Sequence, residues 1–156
     1  MLLFVNISLA VVWAALIGPF SLTNLLAGFV LGYLSLLITT RGGERGGYVW
    51  RVRAAIFFVV FVVYELIAAN MRVAWYTVSN LKDLRPAVLA IPLEPMSDIQ
   101  ITTLANLITL TPGTLTIDVA PDRRMMFVHF MHVDDADEEI AGIKSGFERR
   151  ILEVTG

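Results

Sequence analysis

The stretch that decides the fold class runs from Leu22 to Thr40 and reads LTNLLAGFVLGYLSLLITT, without a charged side chain. As an α-helix rising about 1.5 Å per residue, it is long enough to cross the roughly 30 Å hydrocarbon core of a bilayer. Asp, Glu, Lys and Arg are missing from the whole of residues 1–40. The sequence therefore predicts an α-helical membrane anchor at this end of the chain.

Two further apolar stretches flank the first. Residues 2–17 are almost entirely apolar and end at Gly18-Pro19, where proline removes a backbone donor and favours a turn. This stretch is short for a complete crossing. Residues 54–69 are also apolar, and an amphipathic helical pattern continues past Trp75, whose ring suits the lipid–water interface. We expect two or three transmembrane helices, depending on whether the first crosses completely.

Charge is divided unevenly along the chain. Residues 1–85 contain seven basic and three acidic side chains, whereas residues 86–156 contain five basic and eleven acidic ones. The acidic tail argues against nucleic acid as a partner. Basic residues flank both ends of the third apolar stretch, namely Arg41, Arg45, Arg51, Arg53, Arg72, Lys82 and Arg85. The positive-inside rule therefore does not decide the orientation.

The composition predicts two domains. Residues 1–81 form the transmembrane anchor, including a basic, glycine-rich connector at 41–53, and residues 82–156 form a separate soluble domain. The connector is not a phosphate loop, because no Lys-Ser or Lys-Thr follows its glycines and no strand precedes it.

The tail predicts a small α+β domain. A strand over 87–91 precedes a helix that begins at a capping box made by Ser97 and Gln100 and ends before Thr111. Strands over 114–119 and 125–133 and a helix over 135–154 complete the order strand-helix-strand-strand-helix. This order predicts a variant of the ferredoxin-like arrangement, with helices on one face of the sheet.

The strand over 114–119 alternates strictly between apolar and polar side chains. Leu115, Ile117 and Val119 share one face, and Thr114, Thr116 and Asp118 share the other. We expect the apolar face to be buried in the core.

Three anchor residues are candidates for function. Gly28 and Gly32 form a Gly-x-x-x-Gly pair that lets another helix approach closely, although such pairs also occur by chance. Glu65 is an ionisable group in an apolar helix, which is costly unless it faces a partner, a cavity or an ion path. The alternatives for Glu65 are an intramembrane ion site, or a carboxyl kept neutral or paired with Arg72 or a partner helix.

The remaining polar clusters do not predict catalysis or a cofactor. The chain has no cysteine, and its two histidines, His129 and His132, lie three apart and therefore on opposite faces if both belong to one strand. The acidic run over 134–139 lacks the glycine and spacing of a calcium loop and suits a helix N-terminus instead. We expect no metal site, no cofactor and no enzymatic activity.

One segment carries a family resemblance. Residues 105–119, ANLITLTPGTLTIDV, closely resemble the signature segment of the E subunit of the Mrp-type (Mnh or Pha) multisubunit Na⁺/H⁺ antiporters, and the FVHF sequence at 127–130 is similar to the segment that follows it. The residues that carry the motif are Thr111, Pro112, Gly113, Thr114, Asp118 and His129.

The resemblance implies a multi-pass subunit of a proton-driven sodium antiporter in the bacterial plasma membrane. Its partners would be the other antiporter subunits, including large ones that look like the proton-pumping membrane subunits of respiratory complex I, and its tail would lie in the cytoplasm. The family supplies no ion-binding residue for this subunit. We therefore expect an accessory or assembly role, with two alternatives: a direct part in the ion path through Glu65, or a membrane-tethered ligand-sensing domain.

Overall fold

The computed structural model describes residues 1–41, 43–44, 46–78 and 84–155. The chain divides into two compact units, Met1–Ala55 and Ile56–Gly156. Helix α3, Tyr48–Val78, contributes to both. It begins before the predicted apolar stretch, while Leu81, towards which the predicted helical pattern continued, lies outside the described residues.

The first unit is built on a helical hairpin. Helix α1, Leu2–Ile17, and helix α2, Leu22–Thr39, are joined by the turn at Gly18-Pro19. The Ser21 hydroxyl caps α2 by accepting a hydrogen bond from the Asn24 backbone N–H at 3.2 Å. The start of α3 joins this unit, because Asn6 Nδ2 donates to the Tyr48 hydroxyl at 2.8 Å.

The second unit contains residues 56–78 of α3 and the predicted α+β elements. These are strand β1 (Ala87–Pro92), helix α4 (Asp98–Leu110), strands β2 (Thr114–Val119) and β3 (Met125–Phe130), helix α5 (Ala136–Ile143), a π-helical segment (Lys144–Glu148) and helix α6 (Arg149–Thr155). The predicted order of strands and helices is confirmed, and so is the capping box, in which the Ser97 and Gln100 side chains each meet the other's backbone N–H.

The sheet has the strand order β1-β3-β2, and β3 is antiparallel to both neighbours. Strands β1 and β2 are therefore parallel to each other, with α4 connecting them across the sheet. The core lies on one face of the sheet, where side chains of β1 and β3 meet α4 and the last helices; its buried members are Ile91, Ile101, Leu104, Ile108, Met126, Val128, Phe130, Ile143, Phe147 and Ile151.

The prediction for the faces of β2 was wrong. Leu115 and Ile117 point outward and are 49% and 55% exposed. Thr116 points inward, and its hydroxyl donates to the Ala105 carbonyl at 3.1 Å. A β-bulge between Thr116 and Asp118 shifts the register and returns Val119 to the core side. The inward threonines bond the carbonyls of α4, so polar side chains occupy the face that alternation alone assigns to solvent.

The last two predicted elements also differ from their predicted bounds. Strand β3 ends at Phe130 rather than at residue 133. Beyond it, His132 Nδ1 accepts a hydrogen bond from the Arg85 backbone N–H at 3.1 Å, and its Nε2 lies 3.1 Å from an Asp134 carboxylate oxygen. His132 therefore lies beyond β3, whereas His129 lies within it. The prediction that the two histidines occupy opposite faces depended on both being in one strand, and that condition is not met.

The helix predicted over 135–154 is interrupted by the π-helical segment. The Arg150 guanidinium bonds two carbonyls of this segment, donating to the Ser145 and Gly146 oxygens at 3.1 and 3.0 Å.

Candidate functional site

The glycines of the anchor lie where α1 meets α2. A Cβ atom added to Gly28 would stand 2.7 Å from Trp13 Cβ and 2.9 Å from the Ala10 backbone, distances that real side chains do not tolerate. A Cβ added to Gly32 would overlap the Asn6 side-chain oxygen. Both glycines therefore face another helix of the same chain, and their missing side chains set how closely α1 approaches α2.

The motif segment at 111–114 builds the turn between α4 and β2. The Thr111 hydroxyl donates to the Leu107 carbonyl at 2.9 Å, and the Thr114 hydroxyl donates to the Ile108 carbonyl at 2.6 Å. Gly113 adopts φ +93°, which a side chain rarely tolerates. Its carbonyl accepts from Met131 at 2.8 Å. The motif hydroxyls thus add side-chain hydrogen bonds to carbonyls in the last turn of α4, where the Ile108 carbonyl also accepts from the Thr111 backbone N–H.

A cavity of about 270 Å³ in the second unit brings Glu65 together with part of the motif. Thr111 and Thr114 line it, and α3 contributes Glu65 and Arg72. The other two motif residues of the turn, Pro112 and Gly113, line a smaller neighbouring cavity of about 70 Å³.

The remaining two motif residues lie away from both cavities. Asp118 is exposed, and its carboxylate accepts from the Val119 backbone N–H at 2.8 Å. His129 stands on the outer face of the sheet, paired in register with Val88 and Leu115.

Charged side chains from two helices line the larger cavity. Glu138 and Glu139 come from α5, and Glu65 and Arg72 come from α3. Burial raises the pKa of the Glu139 carboxyl, while the Arg72 guanidinium opposes that rise and Glu138 adds to it. The arrangement can hold a proton or a positively charged group near α5. The described residues contain no cluster of three or more acids or histidines placed to hold a metal ion.

Phe61 and Phe147 also line the cavity, and sequence reasoning missed the contact between them. The Phe61 ring lies 5.3 Å from the Phe147 ring, edge to face. The Arg150 guanidinium stacks on Phe61 at 3.8 Å from the ring centroid. No sequence pattern near Phe61 pointed to Arg150, because the π-helical segment that positions it leaves no local signature.

A buried carboxylate was missed as well. Glu148 is 2% exposed; it accepts from the Glu94 backbone N–H at 2.7 Å and pairs with Lys144 at 2.9 Å. The spacing of four between Lys144 and Glu148 was the available signal. This pair fastens the π-helical segment to the end of β1.

A family model described as a Na⁺/H⁺ ion antiporter subunit matches residues 6–154. The chain belongs to this antiporter subunit family. A curated relative from Bacillus subtilis (strain 168), named as the E subunit of a Na(+)/H(+) antiporter, is 35% identical over 153 residues, which cover 98% of this chain and 97% of the relative. The family resemblance carried by the sequence motif is thereby confirmed.

Two solved structures are similar to this member of the family. A chain in the structure of the membrane-bound sulfane sulfur reductase, an archaeal respiratory membrane complex, is 26% identical with a TM-score of 0.54, and the match covers 96% of both chains. A chain in the structure of the Mrp complex from Dietzia sp. DQ12-45-1b has a TM-score of 0.52 at 24% identity; the match covers 65% of this chain and 96% of that one. The second likeness concerns the fold alone.

Proposed function

We propose that this chain is an accessory subunit of a multisubunit, proton-driven Na⁺/H⁺ antiporter in the bacterial plasma membrane. The observation that carries the proposal is the match to an antiporter E subunit over nearly the full length of both chains. It is supported by two helices, α2 and α3, that are long and apolar enough for a membrane. Its partners are the other antiporter subunits, including large complex-I-like ones, and the lipid bilayer.

Within this function we propose a division of labour between the predicted domains. The anchor lies within residues 1–81, and the domain at 82–156 docks on cytoplasmic parts of neighbouring subunits. The split arrangement of β1, α4 and β2, with β3 between the parallel strands, supports classing the domain as a shortened ferredoxin-like fold. The role of the motif turn, Thr111 to Thr114, would be to hold β2 against α4.

Co-purification tests the proposal. Tagged chain extracted from native membranes in mild detergent is expected to bring down much larger multi-span subunits, identified by mass spectrometry. Recovery of a stable, free monomer under the same conditions would contradict it.

A substitution separates the accessory role from a direct one. Glu65 lines the cavity, so Glu65→Gln keeps the side-chain volume and removes the charge. In an accessory subunit, the variant should leave both assembly and antiport in membrane vesicles intact, as should the control Glu44→Gln in the exposed connector. Loss of antiport from Glu65→Gln alone, with the complex assembled, would favour the ion path instead.

A further inference from the structure

Residues 56–78 of α3 have one face packed on the α+β domain. Phe58, Phe61 and Val62 lie against its hydrophobic core. At the other end of the segment, the Tyr76 ring lies 5.3 Å from the His132 ring. From Phe58 to Tyr76 the helix rises by about 27 Å, so the domain contacts this segment near both of its ends.

The opposite face of the same segment is a continuous apolar stripe. Its members recur at spacings of three and four, as one side of an α-helix requires. They are 60–78% exposed: Phe57, Val60, Tyr64, Ile67, Met71, Trp75 and Val78. We call these seven residues the α3 stripe.

Charged groups lie along the packed face of α3, at positions that would be inside the hydrocarbon core if the helix crossed the membrane. Arg150 stacks on Phe61, and the cavity beside Glu65 and Arg72 contains the acids of α5. Charged groups are costly in the hydrocarbon core. The part of α3 that precedes Phe61, Tyr48–Val60, rises by only about 20 Å, against roughly 30 Å for the core. With the domain packed on it, α3 is long and apolar enough to cross but has too little free length.

The charge pattern of the chain agrees with a different placement. If α3 does not cross, the connector and the tail lie on the same side of the membrane. All the basic residues that flank the third apolar stretch, residues 54–69, then lie on the cytoplasmic side, and the positive-inside rule no longer gives opposing answers. Two of them, Arg45 and Lys82, lie outside the described residues. The same basic flanks complement anionic headgroups.

We propose that residues 56–78 of α3 form an interfacial helix whose stripe lies in the cytoplasmic surface of an anionic lipid bilayer, so that the hairpin of α1 and α2 is the part of the chain that enters the bilayer core. The proposal rests on the membrane location stated above. Aromatic residues support it, because Tyr64 and Trp75 of the stripe are the side chains favoured at the headgroup level. The stripe then meets acyl chains, and the domain remains in water.

Single cysteines test the crossing directly, because the natural chain has none. In the assembled complex, Glu44→Cys marks the connector and Thr102→Cys marks an exposed position on α4. An impermeant maleimide should label both only from the cytoplasmic side, in inverted vesicles and not in intact cells. Labelling of the two positions from opposite sides would overturn the proposal. Co-purification would still recover the complex, so this failure is distinct from failure of the antiporter role.

Spin labels then identify what covers the stripe. Nitroxides on Val60→Cys, Ile67→Cys and Val78→Cys, in the complex reconstituted with phosphatidylglycerol, should collide with oxygen far more than with a water-soluble nickel chelate. All three should report the same shallow depth, whereas a crossing helix would vary by more than roughly 20 Å. A label at Asn70→Cys, exposed on the flank of the stripe, should favour the nickel reagent.

Immobilised stripe labels shielded from both reagents would show that another subunit covers the stripe and would overturn the lipid assignment. Dipolar broadening between labels would assign it to a second copy and overturn it equally.

Discussion

Glu139 shows how single charges are balanced in the second unit. Its carboxyl is partly buried, which raises its pKa, and Arg72 acts against burial while Glu138 acts with it. Because the folded-state pKa lies above that of the unfolded chain, the folded state binds more protons between the two values. The contribution of Glu139 to stability is therefore greatest below the pKa of this group in the unfolded chain and is lost as pH rises through its folded pKa.

Two neighbouring variants should shift this pKa in opposite directions. Arg72→Gln removes the lowering influence and should raise the pKa of Glu139 further, whereas Glu138→Gln removes a raising influence and should lower it. Carboxyl ¹³C NMR titration of the glutamate-labelled chain in detergent micelles measures both. Equal values in the two variants would mean that neither side chain acts on Glu139 across the cavity.

Residue-scale prediction from sequence succeeded where the chemistry is local. The capping box at Ser97 and Gln100 depends on residues three apart and was predictable. The burial of Glu148 was not, since its Glu94 partner is 54 residues away and a charged residue near a helix end suggests exposure. Glu65 was singled out by its place in an apolar helix, but the cavity that it lines could not be predicted, because α5 and the motif turn contribute half of its lining.

At the scale of elements, the close contact between α1 and α2 at Gly28 can be tested by substitution. Gly28→Leu forces a side chain into space occupied by Ala10 and Trp13, and the hairpin has to open. We expect a lower thermal midpoint of the detergent-solubilised complex, measured by fluorescence-detected size exclusion. Ala27→Leu, on the exposed side of the same helix, should leave the midpoint unchanged. A similar loss in both variants would point to general overcrowding of α2 instead.

Strand β2 shows the limit of pattern reasoning for elements. Its position and length follow from local sequence, yet the buried face does not, because a bulge at Ile117 reverses the alternation within six residues. The hydrogen bonds that favour the inward threonines come from α4, on the far side of the motif turn. Likewise, nothing in the apolar periodicity of residues 135–154 indicates a π-helical segment.

At the scale of the whole molecule, the second unit includes part of a helix that composition assigns to the anchor. Phe61→Ala should therefore weaken the domain itself. The lost ring contacts with Phe147 and Arg150 should cost about 2 kcal/mol, since Phe61 is only partly buried.

Amide hydrogen exchange over residues 140–151 measures this effect in the full chain. Exchange limited by opening of the unit should become roughly 30-fold faster in Phe61→Ala. The matched variant Phe57→Ala removes a ring of the α3 stripe that is 66% exposed, and it should leave exchange in this region unchanged. Unaltered exchange in Phe61→Ala would mean that α3 and the last helices open independently.

The outward face of the sheet determines how the protein has to be produced. Val88, Leu115, Ile117 and Phe127 all point away from the core, and β1 and β2 are edge strands. A copy that is synthesised without its partner subunits exposes these apolar side chains and two unpaired strand edges. Surplus copies are therefore expected to aggregate or to be removed by cellular proteases. A laboratory host is therefore expected to yield more intact subunit when the partner subunits are produced with it than when this chain is produced alone.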